Sequence, residues 1–209
     1  MKKIVILAAS LIMVATLSAE QVKGPYVGIG FGSTSFDDGG YINDLSNYAG
    51  FNINKDFSSN GLKIYGGYQF NNVVAIEASY ITYGKHSISA GTLDAYVDPT
   101  ALSIYANVGY NLGTQQEFRP FAILGLSNFQ NGQSDNILSG GDFYEKDSFM
   151  SIHAGLGFEY NPVVLNGFGF RVMYEGDFYT VDSDNGSSYF DSEYSNNVTM
   201  LSLSAHYKF

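Results

Sequence analysis

The sequence predicts an all-β protein, a transmembrane antiparallel β-barrel of about eight strands in an up-and-down meander. Three observations carry that reading. The first is the end of the chain, where Leu201-Ser-Leu-Ser-Ala-His-Tyr-Lys-Phe209 alternates apolar and polar residues. Side chains on a strand alternate with period two, so Leu201, Leu203, Ala205, Tyr207 and Phe209 share one face. Such a face at an open edge is sticky in water, whereas in lipid it is an outer wall. The second is the beginning: Met1-Lys2-Lys3, an apolar run from Ile4 to Leu17, then Ser18 and Ala19. That is the layout of a secretory signal peptide, and the run is short against the roughly 20 apolar residues of a spanning helix. Residues 1–19 are expected to be cleaved and 20–209 to form the barrel domain, the alternative being one N-terminal anchor helix. The third is that no other apolar run is long enough for a helical span, so membrane passage falls to strands.

Composition agrees. Charged residues make up 14%, well below the roughly 25% of soluble domains, as suits walls that face lipid. The absence of cysteine excludes disulfides, thiolate metal sites and a thiol nucleophile in an exported chain. The formal charge of −10 becomes −12 once Lys2 and Lys3 leave with the signal. Acidity of this size argues against nucleic acid, whose binding needs a basic footprint.

The strands follow in order. Tyr26 to Gly32 sets Val27, Ile29 and Phe31 against glycines. Leu62 to Phe70 sets Leu62, Ile64, Tyr68 and Phe70 against Lys63, Tyr65 and Gln69. Val74 to Thr82 opposes Val74, Ile76, Ala78 and Tyr80 to Ala75, Glu77 and Ser79. Leu102 to Leu112 carries Leu102, Ile104, Ala106, Val108 and Tyr110 on its apolar face. Arg119 to Phe129 is the weakest segment, because Phe121 and Ile123 are apolar opposite Ala122, Leu124 and Leu126; Pro120 favours a strand start. Phe149 to Tyr160 opposes Ile152, Ala154, Leu156, Phe158 and Tyr160 to Ser151, His153 and Glu159. Phe168 to Phe178 opposes Phe168, Phe170, Val172 and Tyr174 to Arg171, Glu175 and Asp177. The terminal strand begins near Asn197.

Connections at 71–73, 113–118 and 161–167 are short. Those at 33–60, 84–98, 130–147 and 181–196 are long and rich in Ser, Asn, Asp and Gly. An even strand number puts the short turns and both termini on one rim, which is the asymmetry of an outer-membrane barrel. A lipocalin-like soluble barrel also alternates, but its outside would need charge. Here Phe70, Tyr110, Tyr160 and Phe168, with Tyr207 and Phe209, form an aromatic girdle on the apolar face at the short-turn ends.

The hairpin Gly67-Tyr-Gln-Phe-Asn-Asn-Val-Val-Ala-Ile-Glu-Ala-Ser-Tyr80, the segment Arg119-Pro-Phe-Ala-Ile-Leu-Gly125 and the ending Ala205-His-Tyr-Lys-Phe209 resemble the small OmpA-like and opacity-protein-like outer-membrane barrels. The resemblance implies integral residence in the outer membrane of a Gram-negative bacterium, periplasmic termini, contact with outer-membrane lipid, and folding by the barrel-assembly machinery. It also implies that Leu201, Leu203, Tyr207 and Phe209 act as the assembly signal. No peptidoglycan-binding domain follows Phe209, so the wall-anchoring role of longer relatives is not expected.

The inward faces place Lys63, Glu77, His153, Glu159, Arg171, Glu175 and Asp177 in a lumen just wide enough for side chains to fill. There they are expected to form a charge cluster with Arg171 at its hub. The pattern supplies no nucleophile–base pair, and no cofactor or metal site is expected. Acidic segments Asp135–Asp147 and Asp182–Glu193 lack EF-hand spacing and read as solvated loops. The expected function is non-catalytic: a plugged barrel with long surface loops, serving membrane integrity or adhesion, with an unidentified extracellular partner at the loops. The alternatives are a small porin-like channel and a lipid-modifying enzyme. Topology is tested by single cysteines at Ser134 and Ser187. Both should react with an impermeant maleimide on whole cells, and labelling only after the outer membrane is breached would invert the assignment.

Overall fold

A computed structural model describes residues 23–50, 52–90, 93–112, 117–133, 148–182 and 193–209. Residues 1–19, expected to be a cleaved signal peptide, Ser134, Ser187 and most of the two acidic segments lie outside the described residues. Eight long strands form the wall: β1 (Gly24–Asp37), β3 (Ser58–Gln69), β4 (Val74–Thr82), β6 (Leu93–Gly109), β7 (Phe118–Gln133), β8 (Ser148–Tyr160), β9 (Phe168–Asp182) and β10 (Glu193–Lys208). Two short strands, β2 (Asn54–Asp56) and β5 (His86–Ala90), and one helix, α1 (Tyr41–Ala49), lie among the long connections.

Each wall strand pairs antiparallel with its neighbours in the chain, and β1 closes the ring on β10 from Tyr26 opposite Lys208 to Asp37 opposite Asn197. Closure satisfies every ladder without leaving an edge, which lipid demands of a spanning sheet.

The wall is apolar outside, as the alternation dictates. Ile29, Leu124 and Leu156 are 60%, 64% and 67% exposed, which in a soluble protein would be an anomaly and here is lipid contact. In β7 it is Ala122, Leu124 and Leu126 that face out. Phe121 and Ile123 turn inward and pack with Tyr105 and Met173, which explains why that segment reads ambiguously. Phe70, Tyr110, Tyr160 and Phe168 are all exposed at the short-turn rim. Phe118 stacks on Tyr160 with ring centroids 4.7 Å apart, and Tyr207 contacts Phe168 in a tilted pair at 4.9 Å and Phe209 in a T-shaped pair at 5.0 Å.

The turn at 71–73 is held by one side chain. The Asn71 Oδ1 accepts from the Val73 and Val74 backbone N–H groups, both at 2.8 Å. This fixes the hairpin register and sets Gly67 opposite Glu77.

Two expectations need correction. The segments 33–60 and 84–98 are not mainly irregular loop: β1 runs on to Asp37, β3 starts at Ser58, and β5 with β6 forms a hairpin above the wall. The alternation continues there, but outward residues such as Ser33 and Ser35 are polar because the strand has left the lipid. The lumen is also not polar throughout. Its outer half is an apolar core built on Phe36, Ile81, Tyr83, Val97, Phe129, Tyr179, Val198 and Met200, capped by Tyr41 and Ile42 of α1.

Small residues make room for large ones across the interior. A side chain at Gly28 would collide with the Tyr65 ring, and a Cβ at Gly157 would lie 2.6 Å from the Phe121 ring. Gly28→Val should therefore overpack the lumen and cost about 1–3 kcal/mol. Urea unfolding in lipid vesicles measures this, and an unchanged midpoint would show that Tyr65 does not depend on that space.

Candidate functional site in the barrel lumen

Toward the short-turn rim the lumen holds a dense ionic network. Arg171 on β9 donates to both oxygens of Glu77 on β4, at 2.8 Å from Nη1 and 3.2 Å from Nη2. Its Nη2 also donates to Glu159 Oε2 at 2.9 Å. The guanidinium lies over the Tyr65 ring at 4.7 Å and over the Phe121 ring at 4.8 Å, so it combines cation–π contact with its carboxylate bonds. Asn107 Nδ2 and Tyr105 Oη add donors to Glu77. Asn161 Nδ2 donates to Glu159 at 2.7 Å, and its Oδ1 accepts from His206 Nε2 at 2.9 Å.

A second group sits one layer outward. Lys63 Nζ donates to Glu175 Oε2 at 2.6 Å. His153 lies between two carboxylates, with Nε2 3.1 Å from Glu175 Oε2 and Nδ1 3.2 Å from Asp177 Oδ1. Asp177 also accepts from Ser151 Oγ at 3.0 Å and Tyr83 Oη at 2.6 Å. Tyr83 belongs to the apolar core as well, so this hydroxyl joins the charged half of the lumen to the apolar half. A row of serines, Ser79, Ser103, Ser127 and Ser151, runs directly across β4, β6, β7 and β8 at the seam.

The seven expected lumen residues thus split into an Arg171–Glu77–Glu159 group and a Lys63–Glu175–His153–Asp177 group. Glu175 belongs to Lys63 and His153; among the described contacts it makes none with Arg171. Sequence reading missed Arg119, which lies 3.8 Å from Glu159. Its parity with Phe121 and Ile123, both lumen-facing, was the available signal, obscured because the segment's two faces were equally apolar.

At the outer mouth, Asp38 is buried, accepts from Lys55 Nζ at 2.9 Å, and takes the Ile42 N–H of α1 at 2.8 Å. Tyr194 Oη donates to Asp44 of the same helix at 2.7 Å. The His86 Nδ1 faces the Phe57 carbonyl oxygen at 2.9 Å, and burial pushes its imidazole down from the ordinary range. Among the described residues no group of three or more His, Cys, Asp or Glu side chains is arranged to hold a metal ion.

A closed eight-strand wall, an aromatic girdle at the terminal rim and a packed charged lumen are the architecture of a bacterial outer-membrane barrel, and a family model decides the assignment. The model for the outer membrane protein beta-barrel domain matches residues 4–209. The chain belongs to this family. Among solved structures, the outer membrane protein AlkL, determined in DMPC bilayers, is similar over 93% of this chain and 94% of its own, with 14% identity and a TM-score of 0.54. Neisserial surface protein A is similar over 89% and 97%, at 18% identity and a TM-score of 0.49. Ail, the attachment invasion locus protein of Yersinia pestis, solved with the heparin analogue sucrose octasulfate, is similar over 90% and 99%, at 17% identity and a TM-score of 0.48. No curated protein matches. The protein is an integral outer-membrane β-barrel.

In this outer-membrane barrel the Arg171 network has a direct energetic test. Arg171→Met leaves Glu77 and Glu159 buried without their main cation and should cost about 3–5 kcal/mol. Adding Glu77→Gln should recover part of that loss, because the stranded charge is removed with it. Urea unfolding of both single variants and the double variant measures the coupling, and additive losses would exclude it.

Proposed function

We propose that this barrel is a non-conducting, non-catalytic surface protein that contributes to membrane integrity or to contacts outside the cell through its loops. One observation carries the reading: the lumen is filled along its length. Buried ion pairs occupy the periplasmic half, and an aromatic and aliphatic core under α1 occupies the outer half. An ion crossing it would have to displace paired charges and then an apolar plug, and such dry constrictions are barriers to conduction. The Ser151–His153–Asp177 grouping also favours a non-catalytic role. Ser151 donates to Asp177, not to the imidazole, so no hydroxyl is activated by a base. The acidic outer rim supports the surface role, since β-structure there carries Asp37 and Asp56 into solvent.

Planar-bilayer recording of the refolded protein tests this. The expected result is no unitary conductance for the wild type at neutral pH. Stable, reproducible unitary steps would favour a small channel and overturn the proposal.

A further inference from the structure

The outer ionic group of the lumen does not balance unless its histidine is charged. Two carboxylates, Glu175 and Asp177, share one obligate cation, Lys63, and lie on either side of His153. In the group nearer the short turns, Arg171 and Arg119 match Glu77 and Glu159, with Lys208 at the same rim. An unmatched buried charge is costly, so the missing positive charge must come from within the outer group.

Geometry singles out His153. Both its ring nitrogens face carboxylate oxygens, Asp177 at 3.2 Å and Glu175 at 3.1 Å. A neutral imidazole has one N–H, so one nitrogen would turn its lone pair toward an anion. Neither carboxylate is placed to supply the missing proton. Asp177 already accepts from Tyr83 and Ser151, and Glu175 Oε2 lies 2.6 Å from the Lys63 ammonium. The other two histidines differ. Among the described residues His206 turns one nitrogen, Nε2, toward both Asn161 Oδ1 at 2.9 Å and Glu159 Oε1 at 3.8 Å, and its Nδ1 has no hydrogen-bond partner. His86 faces a neutral carbonyl oxygen. Each of these is served by a single N–H.

We propose that His153 is a doubly protonated, proton-operated latch in the lumen. Its imidazolium holds Glu175 and Asp177 together across two layers, and Asp177 in turn holds Tyr83, the link to the apolar plug. The groups facing it are Glu175 and Asp177 from β9, Lys63 from β3, Tyr105 from β6 at 5.0 Å between rings, and Ser151 on its own strand. Loss of the proton leaves Glu175 and Asp177 against Lys63 alone and turns one hydrogen bond into a repulsion, so the tie to Tyr83 loosens as pH rises. The folded barrel then holds one proton more than the unfolded chain, whose imidazole deprotonates near pH 6.5, over the neutral to mildly alkaline range. Stability must fall as pH increases through deprotonation of the folded state. This holds whether or not the lumen conducts.

The test is nitrogen NMR of protein labelled with [15N]imidazole histidine and refolded in lipid, with signals assigned from His153→Gln, His206→Gln and His86→Gln. At pH 7, His153 should show two protonated ring nitrogens, whereas His206 and His86 show one each. The urea midpoint of the wild type should shift downward between pH 6.5 and pH 9, and that shift should shrink in His153→Gln. A single protonated nitrogen on His153 at pH 7, or an equal pH shift with and without it, would overturn the latch. Should His153→Gln fail to fold, the other two assignments identify the His153 signal by elimination, and its nitrogen shifts decide alone.

Discussion

The whole molecule answers to one constraint: a peptide group inside hydrocarbon has only another peptide group to bond with. The pairing of β1 with β10 meets it by removing the last free edge. Once eight strands close, the diameter is set, and the interior is too narrow for bulk water and too wide to leave empty. Filling follows from closure. The exchanges of glycine for ring, Gly28 under Tyr65 and Gly157 under Phe121, are the local solutions to that volume problem.

Filling a lumen with charge brings its own requirement, since buried carboxylates must be matched at close range. Arg171 meets it near the short-turn rim with a bidentate grip on Glu77 and a guanidinium set over the rings of Tyr65 and Phe121. Lys63 and His153 meet it one layer out. Beyond Asp177 the strands change strategy, and the interior becomes a core like that of a soluble domain, with α1 as its lid. The Tyr83 hydroxyl and the serine row mark the boundary between the two.

Much of this is legible in the sequence because a lipid-facing wall is a strong period-two signal. The third segment, Val74 to Thr82, matches its strand end to end, and the meeting of Arg171 with Glu77 and Glu159 follows from parity and turn length alone. The signal fails wherever one of its two faces changes character. In β7 both faces are apolar, so Arg119 reads only as the start of a strand, although it is a buried lumen cation beside Glu159. Above the membrane the outward residues Ser33, Ser35 and Asp37 are polar and only Phe36 is a large apolar inward residue, so Ser33–Asp37 reads as loop although its alternation is intact. The apolar plug was invisible for a different reason. Phe36, Phe129, Tyr179 and Met200 lie in different strands, and no local pattern announces that closure brings them together.

The continuation of the wall past the lipid bears on how the outer surface meets other molecules. Among the described residues, the segments outside the membrane are mounted on hydrogen-bonded β-structure, with β5 and β6 forming a hairpin and α1 tied down at Asp38 and Asp44. A partner landing on a limp loop must first freeze it, and each side chain immobilised at an interface forfeits about 0.5–1.5 kcal/mol. Here much of that ordering is complete before any encounter, so a modest number of polar contacts can yield binding that a floppier rim would squander.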